Sequence, residues 1–346
     1  MSRRNKNISL NYPGLFDDLD FEKSFADLPI HPSIARHAER VSLSGGEKKD
    51  ENQASDIASP VATSEHDKIM FISFGSGSSG NCAYIGDSDG GFLIDAGVDY
   101  EKVVAELKRN NIPMSAIHGI CLTHDHRDHT HYAYAFARKH RNIPIFCTLR
   151  ALNGLLRRHN TSRRIKDYHH PIYKEIPFTI GNFTITAFEV MHDGTDNAGF
   201  HISHRAGTFV VATDLGCISE RAEYYLRQAN YMVLEANYDA KMLADSSYPE
   251  YLKARIADRN GHLDNAVTAQ FLADCYTSEL KYVFLCHLSN ENNTPERALE
   301  TVTNTLTDHN ITIGTGCDTP SDRQAMLQLV ALPRLDSSML YILRHQ

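Results

Sequence analysis

Thr123-His124-Asp125-His126-Arg127-Asp128-His129 follows directly on an apolar run at 117–122. That run reads as a buried strand. At the end of an extended strand side chains alternate between faces, so His124 and His126 point the same way. A turn just beyond brings Asp128 and His129 round to a neighbouring position. One segment thereby begins two adjacent metal sites, with two ligands for each. The chain has 19 His, so a stray pair carries little weight. Ligand-type side chains crowded at a strand exit carry much more, and they mark a metallohydrolase. Asp125 and Arg127, between the ligand positions, are expected to face outward.

The same placement recurs further on. His192 follows a strand-like stretch at 183–191, Asp214 one at 208–213, and His287 one at 281–286. A pair of divalent ions asks for about seven protein ligands, one of them a carboxylate able to bridge. Imidazole and carboxylate without thiolate suit Zn²⁺ or Mn²⁺ and do not choose between them. Glu235, at the end of another strand, is expected to support a ligand or an ion pair rather than to react.

The hydrophobic share of this 346-residue chain is 42%, and the shortfall sits at the front. Residues 1–67 carry 8 Lys+Arg against 12 Asp+Glu, with a Ser/Gly/Glu/Lys/Asp-rich run over 42–67. Such a segment buries too little apolar surface to offset its ordering entropy, so a disordered extension is expected. Within it, residues 10–21 alternate apolar and acidic side chains, a pattern that can fold on a partner's groove. A disordered leader without a partner is the preferred explanation of them. The remaining 68–346 is expected to form one hydrolase domain, the tail from about 316 being the part its patterns define least.

No apolar segment follows the basic start, and no run approaches the roughly 18 apolar residues of a spanning helix. Seven Cys, none in a CxxC spacing, fit a reducing compartment, so a cytoplasmic location is expected. Cys121 and Cys286 belong to apolar strands and are read as core. A net charge of −8 does not advertise nucleic-acid binding. Yet 149–166 holds Arg150, Arg157, Arg158, Arg163, Arg164 and Lys166 with no acid among them. The stretch is either a solvated helix face with its exit loop or a phosphate-tracking patch.

Strand patterns at 69–74, 82–85, 91–94, 117–122 and 143–147 form one group. Those at 171–176, 183–190, 199–203, 208–212, 231–235 and 281–286 form another. Helical patterns at 100–110, 131–139, 149–158, 219–228, 249–259, 264–276 and 295–307 accompany them. Two strand groups, each with helices, predict an α/β fold built as a four-layered αββα sandwich. The Gly/Ser loop at 75–81 precedes a strand and lacks a following Lys-Ser/Thr pair. It is a tight interstrand loop rather than a phosphate cradle.

The ordered series His124-x-His126-x-Asp128-His129, His192, Asp214, His287 resembles the metallo-β-lactamase superfamily over most of 69–315. The resemblance implies one metal on His124, His126 and His192, another on Asp128, His129 and His287, and Asp214 bridging them. It also implies that Asp95, in Leu93-Ile94-Asp95-Ala96-Gly97, supports ligands without binding metal. Gly77-Ser78-Ser79-Gly80-Asn81, Met191-His192-Asp193, Gly261-His262-Leu263-Asp264-Asn265 and His287-Leu288-Ser289 are similar to the YycJ/WalJ-type group of that superfamily. That group is described as exodeoxyribonuclease-like phosphodiesterases. The front segment and the tail beyond 315 depart from its pattern.

The chemistry implied is phosphodiester hydrolysis of nucleic acid, DNA foremost, by a hydroxide held between two ions about 3.5–4 Å apart. His262 and Asp128 are the expected catalytic residues. His262, in a Gly-His turn at a helix start, neutralises the phosphorane and protonates the leaving alkoxide, near N–H groups that favour anions. Asp264 and Asn265 are expected to cap that helix. Arg157, Arg158, Arg163, Arg164 and Asn293 are the expected substrate contacts. The rival enzyme is a glyoxalase-II-like thioester hydrolase on the same seven ligands, which has little use for His262. A reading from another class gives residues 10–21 a partner-binding adaptor role. A β-lactamase is disfavoured because those enzymes commonly place Cys where Asp214 stands.

Overall fold

A computed structural model of the chain describes residues 67–140 and 143–344. The expected extension, save Asp67, and with it residues 10–21, lies outside the described residues. Apolar strands dictate the architecture. The first sheet has the order β15 (Tyr341–Leu343), β1 (Ile69–Gly75), β2 (Cys82–Asp87), β3 (Gly90–Ile94), β4 (Ile117–Cys121), β5 (Ile145–Cys147), β6 (His169–Pro171). The second runs β13 (Ile313–Gly314), β14 (Leu327–Ala331), β12 (Tyr282–Cys286), β11 (Tyr231–Glu235), β10 (Gly207–Ala212), β9 (Ala198–His204), β8 (Phe183–Glu189), β7 (Phe178–Ile180).

In β11, Tyr231 and Val233 enter the core between the sheets while Met232 and Leu234 enter a second core outside. β10 and β12 split their side chains the same way, as strands covered on both faces do. Phe71 of the first sheet meets Phe209 and Phe284 of the second at ring-centroid distances of 5.1 and 4.6 Å. Outside the first sheet lie α1 (Tyr100–Arg109), the single turn α2 (Arg127–Thr130), α3 (Ala133–Lys139) and α4 (Leu149–Arg158). Among and after the strands of the second sheet the chain adds α5 (Glu220–Leu226), α6 (Ala240–Asp245), α7 (Glu250–Ile256), α8 (Asn265–Cys275) and α9 (Pro295–Asp308). Of these, α5, α8 and α9 bury Ala222, Leu272 and Val302 in the outer core. The expected αββα sandwich is the observed one. Cys121 and Cys286 are core residues of the inter-sheet layer.

One expected strand is absent, and elements such as β7, α6 and those of the tail appear where no pattern predicts them. The strand pattern at 171–176 is not a strand: the chain leaves β6, turns through Glu175 at φ 67° and re-enters a sheet at Phe178. Tyr173 and Ile176, which supplied the pattern, are 66% and 59% exposed. The tail after 316, which the sequence patterns leave undefined, belongs to the sandwich. Its β14 pairs with β12 and β13, and its β15 pairs antiparallel with β1, so it completes both sheets. Among the described residues no helix is long and apolar enough to cross a membrane.

In each sheet the central strands are parallel, β3 with β4 and β5, and β10 with β11 and β12. Their carboxyl ends therefore share an edge, the usual place for a ligand in such sheets.

Candidate metal centre

Every sequence-derived ligand stands at that edge. His124 and His126 lie in the extended stretch after β4, and Asp128 and His129 on α2. His192, Asp214 and His287 leave β8, β10 and β12. Donor atoms of His124, His126 and His192 lie within 4.8 Å of one another, as do those of Asp128, His129 and His287. Asp214 faces both groups. Its Oδ2 is 3.1 Å from His129 Nε2, and its Oδ1 is 3.3 Å from His287 Nδ1 and 3.8 Å from His192 Nε2.

Asp95, Asp214 and His287 leave their strands at φ 59°, 53° and 54°. Left-handed backbone costs a non-glycine residue about 1–3 kcal/mol, and such strain gathers at functional sites. No sequence pattern announces it for a histidine.

Most of the ligand imidazoles are oriented through Nδ1. His129 is held by Asp95 at 2.7 Å, His287 by Glu235 at 3.0 Å, His192 by the Gly261 carbonyl at 3.0 Å and His124 by Thr123 Oγ1 at 3.0 Å. Asp95 also accepts from the Thr123 N–H and hydroxyl, which locks it in place. Such partners fix the tautomer and aim Nε2 at a metal. Accordingly the buried Nε2 atoms of His124 and His287 have no hydrogen-bond partner. Those orphaned nitrogens, set among carboxylates, fit divalent cations.

The electrostatics agree. Burial pushes His124 and His126 down, keeping them neutral donors. Burial would also lower His129 and His287, but the carboxylates beside them win, Asp214 foremost. His287 rises to about 10. Burial works to raise Asp214 and Asp128, yet the histidines around them hold both below the usual carboxylate range. A buried carboxylate cluster wants positive charge, and a bound cation supplies it in place of those protons.

Glu235 is wholly buried and joins two roles. Its Oε1 meets His262 Nδ1 at 2.7 Å and His287 Nδ1 at 3.0 Å, while Oε2 accepts from the Leu215 N–H. With Nδ1 engaged, His262 keeps Nε2 free in a hollow it shares with His192, Tyr248 and Arg255. Asp264 caps α8 as expected, accepting from the Ala266 N–H.

Other expectations give way. Asp125 does not face outward: it is fully buried and accepts from the Thr195 N–H at 2.8 Å and hydroxyl at 2.6 Å. Arg158 Nε stands 3.4 Å from that carboxylate, so it braces the motif. Asn293 does not reach substrate: it is buried, its amide bonded to Ala236 O, Asn237 O and Asn265. Arg157, Arg163 and Arg164 are exposed, with Arg164 3.6 Å from Asp167.

Sequence reasoning also passed over several supports. Asn81, in the Gly/Ser loop, reaches His129 Nε2 at 2.9 Å and Asp128 Oδ2 at 3.3 Å. Ser76 accepts from the His287 N–H. Gly97 lets the β3 exit press on α2: a Cβ there would stand 1.5 Å from the Asp128 carbonyl oxygen. Asp193, bonded to Arg255 at 2.6 and 2.9 Å, presents Oδ1 3.4 Å from His126 Nε2. The short polar words around the ligands were the available signal, without geometry to interpret them.

An αββα sandwich with this His/Asp cluster on one sheet edge defines a metal-dependent hydrolase of the β-lactamase class. The β-lactamase superfamily domain matches residues 91–287. The exodeoxyribonuclease YycJ of Bacillus anthracis is 30% identical over 246 residues, spanning 71% of this chain and 92% of that protein. The exodeoxyribonuclease WalJ of Streptococcus pneumoniae is 30% identical over 239 residues, 69% of this chain and 88% of that one. The crystal structure of the metallo-β-lactamase fold protein YhfI from Bacillus subtilis superposes with a TM-score of 0.55 at 13% identity. It spans 79% of this chain and 99% of that one, a likeness of fold alone. The chain belongs to the metallo-β-lactamase superfamily and, within it, to the YycJ/WalJ type of hydrolase.

Proposed function

We propose that this protein is a dinuclear metal-dependent phosphodiesterase that degrades DNA from an end. The His262–Glu235 pair beside the ligand cluster carries the reading. His124, His126 and His192 would hold one ion, Asp128, His129 and His287 the other, with Asp214 shared between them. When bound, a pair of divalent ions (Zn²⁺ or Mn²⁺) supplies a nucleophilic water at neutral pH and neutralises charge on the phosphoryl oxygens.

This chain's own residues do the rest. Glu235 accepts the Nδ1 proton of His262 and fixes which edge of the ring faces the hollow. Nε2 can then bring a proton to the departing alkoxide, the step a sugar leaving group needs most. A thioester hydrolase on the same ligands has no such demand. The relatives named exodeoxyribonucleases support DNA as the substrate.

Chelated enzyme reloaded with Mn²⁺ or Zn²⁺ should cleave both end-labelled DNA and bis-p-nitrophenyl phosphate. Asp214→Ala should lose metal and both activities. His262→Ala should keep its metal but lose roughly 10²–10⁴-fold on DNA. It should lose far less on the p-nitrophenyl ester, whose leaving group needs no proton. Full metal loading with hydrolysis of S-lactoylglutathione and no phosphodiester cleavage would reject the proposal.

A further inference from the structure

On the side of Arg127, two adjoining hollows lead away from the metal cluster. The nearer is lined by two carboxylates, the candidate ligand Asp128 and Asp99, together with Arg127, His131 and Ser78. The farther, of about 220 Å³, shares Arg127 and His131 with it and extends to Arg138, His159, Thr161 and Ser162. Its lining holds guanidinium, imidazole and hydroxyl groups and no carboxylate.

Several exposed arginines of this chain, among them Arg109, Arg158, Arg227, Arg255, Arg297 and Arg323, stand within salt-bridge reach of a carboxylate. Among the described residues neither Arg127 nor Arg138 has an acidic partner. Arg127 donates only to His131 Nε2, at 3.3 Å. His159 is anchored to the metal motif itself, its Nε2 donating to the Asp125 carbonyl at 2.7 Å. Arg158 and Arg163 flank the segment 159–162 that forms the far wall. A pocket of cations and donors without acid recognises an anion with several oxygens. Its volume is below the ~300–1,000 Å³ of ordinary ligand pockets, small for a whole nucleotide and ample for a phosphate group.

We propose that this hollow holds a phosphate group of the substrate strand while a neighbouring phosphodiester lies over the metal cluster. The inference rests on the nucleic-acid reading above and adds where the strand runs. Phosphate contacts of this kind set register without reading bases. The phosphate is either the monoester at a strand end, which would make cleavage end-directed, or an internal diester.

The test uses the full chain with single-stranded oligonucleotides carrying a 5′-phosphate, a 3′-phosphate or no terminal phosphate. KM and kcat are measured against salt for wild type, Arg138→Ala and Arg138→Lys, with melting curves to confirm folding. Arg138→Ala should raise KM about tenfold with little change in kcat. The slope of log(kcat/KM) against log salt should flatten by roughly 0.7. Arg138→Lys should restore the salt slope but not the full KM, because an ammonium lacks the guanidinium fork. An effect confined to one terminal phosphate assigns the hollow to the strand end; an equal effect on all three assigns it to an internal phosphate. Wild type that cleaves DNA, with KM and slope unchanged in folded Arg138→Ala, overturns the inference. Wild type that cleaves no DNA overturns the nucleic-acid reading, and the inference with it.

Discussion

Asp125 shows where reading a motif residue by residue reaches its limit. Alternation along a strand sends it away from the ligands, and from the sequence alone away means solvent. The structure covers that side with α4 and the loop carrying His192. Thr195, 70 residues on, caps the carboxylate with its N–H and hydroxyl. Gly154 completes the fit, since a Cβ there would lie 2.2 Å from Asp125 Oδ2 and 2.4 Å from Thr195 Oγ1. Gly154 sits inside α4, where alanine normally gains about 1 kcal/mol. Here the intrusion outweighs that gain. Gly154→Ala should lose roughly 1–3 kcal/mol of stability by urea unfolding and loosen metal retention by shifting the His192 loop. Asp125→Ala alone should cost about as much, because Thr195 is left with unmatched buried donors. In that background Gly154→Ala should cost less, though not nothing, since Thr195 stays in the way. Strictly additive effects would mean these groups do not touch.

Elements were legible where burial is periodic. The strands of both cores and most helices follow from apolar patterning, and the ligands from their place after those strands. Three left-handed strand exits were not legible, because they answer to the site rather than to local preference. The tail was hard to read for another reason: its strands are short and complete sheets begun hundreds of residues earlier. Between β13 and β14, Asp322 shapes the return. Its carboxylate accepts from the Thr315 and Thr319 N–H groups and both hydroxyls, and those backbone donors hold it below the usual carboxylate range. A carboxyl group depressed on folding stabilises above its unfolded value, near 3.9, and loses that contribution as pH falls toward the folded one. Asp322→Asn mimics the protonated form. It should melt a few degrees below wild type at neutral pH, and the gap should close as pH drops below about 4. A gap of constant size would show that hydrogen bonding alone, without charge, matters there.

Across the whole molecule one tension stands out. Two sheets meet at an edge where Asp95, Asp128, Asp214 and Glu235 gather around histidines, all but Asp128 almost fully buried. Like charges so placed repel strongly unless cations or protons intervene. In the absence of metal His129 and His287 hold protons well above their ordinary range, a partial answer that a divalent ion improves on. The candidate ligands come from both sheets, so a bound ion would clamp the two halves of the sandwich together. A ligand at a thousand times its Kd stabilises the folded state by about 4 kcal/mol, or on the order of 10 °C in a domain of this size. Chelated protein should therefore melt on the order of 10 °C below protein saturated with Zn²⁺ or Mn²⁺. Asp214→Asn removes the charge of the shared carboxylate and should abolish most of that shift while still folding. Its metal-free form should melt below metal-free wild type, because the protonated His129 and His287 lose the carboxylate that faces them both. If chelation leaves the wild-type melt unchanged, the cluster is neutralised by protons alone and the strained strand exits serve some other end.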